Sequence, residues 1–231
     1  MSMYYNNISD QKIVPVKVGP SIDLDGHTYP SFYRRIFKRM FDVFAVMLAA
    51  PLILPFIGIL ALIVARQGGR PFYSQSRIGR HGRVFKMWKL RSMVCDADAR
   101  LQKHLAADPD ACAEWDATQK LKNDPRITPF GRLLRKSSMD ELPQLWNVLR
   151  GEMSLIGPRP MMVSQQDMYP GNCYYKLSPG ITGTWQISAR NKSTFADRAK
   201  FDSDYNQNLS FGNDLRILFR TVTVVLKATG Y

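Results

Sequence analysis

An α/β fold, mostly helical with one small β-hairpin and carrying an apolar helix broken by proline near its N-terminus, is what three features of this 231-residue sequence predict. A run from Val43 to Ala65 contains no charged residue. Two short strand-like stretches flank the turn signal Gly79 to Gly82, and from residue 95 onward helix starts and stops follow one another. At 45% hydrophobic and 22% charged residues the chain is neither disordered nor collagen-like, and its length suits one domain with an appendage. Lys and Arg number 32 against 19 Asp and Glu, a net charge of +13 that calls for a polyanionic partner: nucleic acid, an anionic membrane surface or phosphorylated substrates. Cys95, Cys112 and Cys173 are odd in number and without CxxC spacing, which argues against a disulfide framework or a zinc site and for a reducing compartment.

Residues 1–30 are polar, are punctuated by Pro15, Gly19, Pro20, Gly26 and Pro30, and read as a mobile lead-in. They form no secretory signal, because the apolar run starts too late. Residues 31–66 hold the membrane element. Its 23 uncharged residues would make a straight helix about 35 Å long, enough to cross a bilayer. Pro51 and Pro55 each remove a helical hydrogen bond near the middle, leaving arms of about 12–15 Å. Arg34, Arg35, Lys38 and Arg39 precede the run and Arg66, Arg70, Arg77, Arg80 and Arg83 follow it, so the positive-inside bias puts both ends in the cytoplasm. The pattern therefore reads as a re-entrant helix that enters and returns on one face. A kinked spanning helix and a buried core helix are the alternatives.

Residues 67–231 read as the cytoplasmic domain. From Arg66 to Arg91 there are eight Lys or Arg and no acid; this suits anionic headgroups, and equally a phosphate-binding wall. Gly79 to Gly82 marks the hairpin turn before Val84-Phe85-Lys86-Met87-Trp88-Lys89-Leu90-Arg91. Residues 95–122 are helical, interrupted at Asp108-Pro109. Thr128-Pro129 is a helix start, with proline where its missing N–H costs nothing. Ser138-Met139-Asp140-Glu141 has the form of a capping box ahead of Leu142, Leu145, Trp146 and Leu149, with Gly151 as the stop. That arrangement places Asp140 and Glu141 at the positive end of a helix dipole, which favours the ionised carboxylates by roughly 0.3–1 kcal/mol.

Acids in a first turn can be ordinary caps. Here Arg126, Arg132, Arg135 and Lys136 crowd the same segment, and Arg150 and Arg159 follow. A carboxylate pair among cations suits phosphoryl chemistry, with one carboxylate as nucleophile and the other holding a divalent metal. Gly157-Pro158-Arg159-Pro160 is either a structural turn or a rigid loop presenting Arg159 to phosphate.

The run from Arg135 to Pro160 resembles the signature of the bacterial sugar transferases, the monotopic polyprenyl-phosphate phosphoglycosyl transferases. Phe85-Lys86, Lys89-Leu90-Arg91-Ser92-Met93, Pro179-Gly180-Ile181-Thr182-Gly183, Gln186, Arg190-Asn191, Asp202 and Tyr205 match in order, from about residue 34 to the C-terminus. Ala189 and Phe195 stand where the family usually has Gly and Trp. The resemblance implies a monotopic enzyme of the inner membrane, its domain on the cytoplasmic face, that passes a sugar 1-phosphate from a UDP-sugar to polyprenyl phosphate with release of UMP. It implies Asp140 as nucleophile, Glu141 as a ligand of Mg²⁺, and Lys89, Arg91, Arg135, Arg159, Arg190, Asp202 and Tyr205 as substrate contacts. The re-entrant element broken at Pro51 and Pro55 is also a family trait. The chain resembles the small, catalytic-core form, and its ending resembles the galactosyl- or glucosyl-phosphate transferases that initiate exopolysaccharides.

Two rival readings lack turnover. A membrane-tethered nucleic-acid-binding protein would use the basic face and stack bases on Phe85 and Trp88, but Asp140 and Glu141 would repel the same phosphates. The other rival is a non-catalytic assembly partner. At the C-terminus, Leu215, Leu218, Phe219, Val222, Val225 and Leu226 fall at helical spacing, which suits core packing first, then membrane contact or the face of a homodimer.

Overall fold

The computed structural model describes residues 32–118, 121–188 and 194–226. The lead-in assigned to residues 1–30, and Arg190, lie outside the described residues. In chain order the elements are a π-helical turn Tyr33–Phe37, α1 Lys38–Arg66, β1 Phe72–Ile78, β2 Val84–Leu90, α2 Ala97–Ala107, α3 Pro109–Thr118, α4 Pro129–Lys136, α5 Gln144–Arg150, β3 Ser154–Ile156, β4 Met161–Met162, α6 Cys173–Lys176, β5 Gly180–Thr182, α7 Thr184–Ser188, α8 Arg198–Gln207 and α9 Phe211–Leu226.

The π-helical turn runs straight into α1, giving one helical stretch of 34 residues that is apolar and long enough to cross a membrane. Both Pro51 and Pro55 lie inside it. The expected break is thus no interruption of the helix: a proline deletes one N–H donor, and the hydrogen bonds on either side carry the element past it. Asp42 and Val46 near its start and Leu60, Ala61 and Val64 near its end are buried, while Leu48, Leu52 and Leu54 between them are exposed.

The hairpin forms where the glycines place it. β1 and β2 pair antiparallel over their full length, from Phe72 opposite Leu90 to Ile78 opposite Val84. Their connection is a tight 3-10 turn with His81 and Gly82 at positive φ. β4 adds to the other edge of β1, and β3 pairs with β5 in a separate parallel ladder. These extra pairings go beyond the single hairpin expected, because strands of two or three residues carry no legible period. The interruption between α2 and α3 falls at Asp108, whose carboxylate accepts the N–H groups of Asp110 and Ala111.

Two core clusters join α1 to the domain. Val46 packs with Phe85, Met87, Val148 and Met153; Leu60, Ala61 and Val64 pack with Leu90 and Leu134. On α9, Asp214 and Ile217 are buried and Leu218 packs against the core, but Leu215, Phe219 and Val222 are exposed, Phe219 at 67%. Core packing of the whole stripe is therefore corrected. Spacing at three and four defines a face without saying which way it points.

Candidate active site

Thr128 caps α4, its Oγ1 accepting the N–H of Gly131 at 2.9 Å with Pro129 at the first helical position. Gly131 lets α4 approach the segment after β2 so closely that a Cβ there would collide with the carbonyl of Ser92. Across that contact Arg135 Nε donates to Ser92 Oγ at 2.8 Å.

The capping box expected at Ser138 does not form. Ser138 takes a left-handed conformation, φ 57°, ψ 18°, and its side chain caps nothing; Met139–Glu141 form a 3-10 turn, and α5 begins only at Gln144, after Pro143. The dyad thus sits on the corner between two helices. That corner needs a reversal, which a left-handed residue provides at a cost of roughly 1–2 kcal/mol. Gly151 stops α5 as expected.

Asn147, fully buried on α5, fixes the corner against the sheet. Its Oδ1 accepts from Trp88 N at 3.1 Å, and its Nδ2 donates to Lys86 O and to Glu152. Arg39, at the base of α1, donates to the carbonyls of Val148 and Leu149 that α5 leaves free at its C-terminus. The apolar helix α1 therefore braces the element that follows the dyad.

With β2 and the corner locked together, Lys89 meets both acids. Its Nζ lies 2.8 Å from Glu141 Oε1 and 3.7 Å from Asp140 Oδ2. Asp140 is 8% exposed. Burial pushes its carboxyl above the usual range and Glu141 adds to the rise, while Lys89 and, more weakly, Arg135 oppose them. The ionisation expected from a helix N-terminus loses its basis, because α5 begins only at Gln144, and desolvation works against it. Arg77, on β1, is also in electrostatic contact with Glu141.

The glycines of Pro179-Gly180-Ile181-Thr182-Gly183 seat the loop that carries Arg159. Gly157 N donates to Thr182 O at 2.9 Å and Gly180 N to Pro158 O at 2.8 Å, with no room for a Cβ on Gly157. Arg159 reaches the ring of Trp185, 5.9 Å from its centroid, and Arg198 covers the same ring at 4.3 Å. Asp202 accepts from Tyr169 Oη at 2.8 Å; burial raises its carboxyl to about 6 against the pull of Tyr169 and Arg198.

Two residues expected to contact substrate are engaged elsewhere. Arg91 donates to the carbonyls of Val64 and Gly68, closing the end of α1, and to Cys95. Tyr205 is buried, and its hydroxyl donates to Asp214 at 2.7 Å and lies 3.2 Å from Ile156 O. The polar groups of both are taken up by the backbone, Cys95 and Asp214. Sequence reasoning passed over Arg77 as a membrane flank and had no signal for Arg198.

Among the described residues, no three His, Cys, Asp or Glu side chains gather as a metal site. The adjacent Asp140 and Glu141 still suit Mg²⁺, a hard cation that takes one or two carboxylates and completes its shell with water and substrate phosphate oxygens.

The bacterial sugar transferase family matches residues 33–228. The chain is 50% identical to a UDP-galactose-lipid carrier transferase of Erwinia amylovora and 46% identical to an undecaprenyl-phosphate galactose phosphotransferase of Salmonella typhimurium; each alignment covers 85% of this chain and 42% of the relative. It is 46% identical to the exopolysaccharide production protein ExoY of Rhizobium meliloti, over 84% of this chain and 87% of the relative. The chain thus spans less than half of the first two relatives and most of the third. With the signature from Arg135 to Pro160 folded around a buried carboxylate dyad, it belongs to the bacterial sugar transferase family.

Proposed function

We propose that this protein transfers a hexose 1-phosphate, galactose or glucose, from a UDP-sugar to polyprenyl phosphate, releasing UMP, as the opening membrane step of exopolysaccharide synthesis. The observation that carries the reading is Asp140, buried beside Glu141, ion-paired with Lys89 and under the weaker electrostatic pull of Arg135. A desolvated carboxylate is a better nucleophile than a hydrated one, and nearby cations keep it ionised.

The transfer runs in two displacements. An Asp140 oxygen attacks the phosphorus that bears the sugar; the bridging P–O bond breaks, and its electron pair leaves with UMP. An oxygen of polyprenyl phosphate then attacks the same phosphorus and restores the Asp140 carboxylate. Lys89 holds Asp140 in place, and with Arg135 nearby it meets charge developing on the phosphoryl oxygens. Mg²⁺, held by Glu141 with Asp140 alongside, would supply neutralisation of the diphosphate.

The lipid phosphate must reach this dyad, and a re-entrant α1 at the cytoplasmic face of the inner membrane would bring it there. Supporting this, residues near both ends of α1, Val46 and Leu60, belong to core clusters that include residues of the one strand β2. Single cysteines at residues 31 and 67, probed with an impermeant reagent, should react from the same side; opposite sides would mean a spanning helix.

The chemistry is tested with a UDP-sugar labelled in the sugar and no acceptor. Wild-type protein should retain label on the peptide containing Asp140, Asp140→Asn should retain none, and EDTA should stop turnover until Mg²⁺ is restored. A full wild-type turnover rate with no trappable adduct and intersecting initial-rate plots would favour direct transfer.

A further inference from the structure

Arg77, on β1, donates to Gln75 Oε1 at 2.6 Å and to Pro160 O at 3.4 Å, which sets its guanidinium against the loop that carries Arg159. Arg159 and Arg198 lie over the ring of Trp185. Arg77 and Arg198 are each pushed down to about 10, first by burial and then by the charge of Arg159, while Glu141 acts on Arg77 in the opposite direction. Asp202 offsets Arg198 only in part. Three like charges gathered in a partly dehydrated place are unfavourable unless an anion joins them.

The hydrogen-bonding groups at this cluster tell the same story. Among the described residues, Nε of Arg77 and Nε of Arg198 are buried without a partner. So are both ends of the side-chain amide of Gln186, which follows Trp185 and is only 6% exposed. Its Oε1 lies 3.1 Å from where a Cβ on Gly183 would stand, against the loop that carries Arg159. Buried polar groups are nearly always bonded, so several unpaired ones at one cationic cluster mark a place for a polar ligand.

We propose that Arg77, Arg198 and Gln186, together with Arg159, form the subsite for the phosphate that leaves with the nucleotide. The assignment rests on the transferase reading and names the part of the donor held there. As an Asp140 oxygen bonds to the sugar-bearing phosphorus, the bridging bond breaks and its electron pair goes to the nucleotide phosphate, which gains a negative charge. The guanidiniums meet that charge where it develops. Trp185 holds Arg159 and Arg198 through their faces, and Asp202, fixed by Tyr169, steadies Arg198.

The test uses the full chain in lipid nanodiscs with UMP as probe. Arg77→Ala and Arg198→Ala should each weaken UMP binding, measured by calorimetry, about ten- to a hundredfold. Arg198→Lys, which keeps the charge and the stem over Trp185 but loses the fork, should fall between wild type and Ala and covers the case in which the Ala variant does not fold. Weakened UMP binding supports the subsite whether or not KM for polyprenyl phosphate also moves. UMP affinity unchanged by all three substitutions overturns it, and a raised KM for polyprenyl phosphate with unchanged UMP affinity reassigns the pocket to the acceptor. A wild type that releases no UMP from UDP-glucose or UDP-galactose refutes the transferase reading instead.

Discussion

Asp214 is the residue whose loss should separate the base of the apolar helix from the domain. It is fully buried on α9 and accepts three hydrogen bonds: from Tyr33 Oη at 2.5 Å, Lys38 Nζ at 2.6 Å and Tyr205 Oη at 2.7 Å. Two donors come from the start of the long apolar helix, Tyr33 and Lys38, and one from α8. In Asp214→Asn the volume stays, but Lys38, itself only 11% exposed, keeps a charge with no counter-ion. Removing one partner of a buried pair costs about 3–5 kcal/mol. At about 2–4 °C per kcal/mol for a chain of this size, the thermal midpoint of detergent-purified protein should fall by roughly 6–20 °C. Lys38→Met in the Asp214→Asn background removes the orphaned charge and should recover part of the loss. A fall below about 2 °C in the single variant, or a double variant in which the two losses simply add, would refute the coupling.

Three further outcomes follow from the same geometry. Lys89→Met removes the main group opposing the burial of Asp140, so the acid limb of the kcat/KM profile for UMP release should move to higher pH; an unmoved limb would show that Lys89 does not set the ionisation of the nucleophile. Asp202, raised to about 6, favours the fold in its protonated form: that contribution is complete below the unfolded value near 3.8 and is lost as pH rises through 6. The thermal midpoint of Asp202→Asn relative to wild type should therefore climb between pH 5 and pH 8, and a constant difference across that range would count against this account. Gly131→Ala places a methyl group against backbone, which cannot yield as a side chain would, so it should destabilise by about 1–3 kcal/mol in denaturant titration and weaken activity by moving Arg135; wild-type stability would contradict the close approach.

Local signals in the sequence determine local structure here. The hairpin follows from glycine at the turn, α4 from Thr128 and Pro129, the end of α5 from Gly151, and the interruption of the helical region from Asp108-Pro109, because each depends on neighbours within a few residues. The family and the dyad were legible for a related reason: Asp140 and Glu141 are adjacent in the chain and stand in a long ordered motif. What lay beyond the sequence is everything set by contacts between distant residues. Ser138 has the residues of a capping box, yet packing of α4 and α5 on β2 makes it a left-handed corner instead. Arg91 and Tyr205 share motifs with residues at the site, but folding delivers them to the end of α1 and to Asp214. Arg77, Arg159 and Arg198 are up to 121 positions apart, and only the sheet, the Gly157–Pro160 loop and α8 bring them together, Arg77 against that loop and the other two over Trp185. Ionisation belongs to the tertiary structure as well. A dipole argument from the sequence favours a charged Asp140, and the desolvation that works against it, like the Lys89 charge that works for it, exists only once the surrounding elements have closed over the carboxyl.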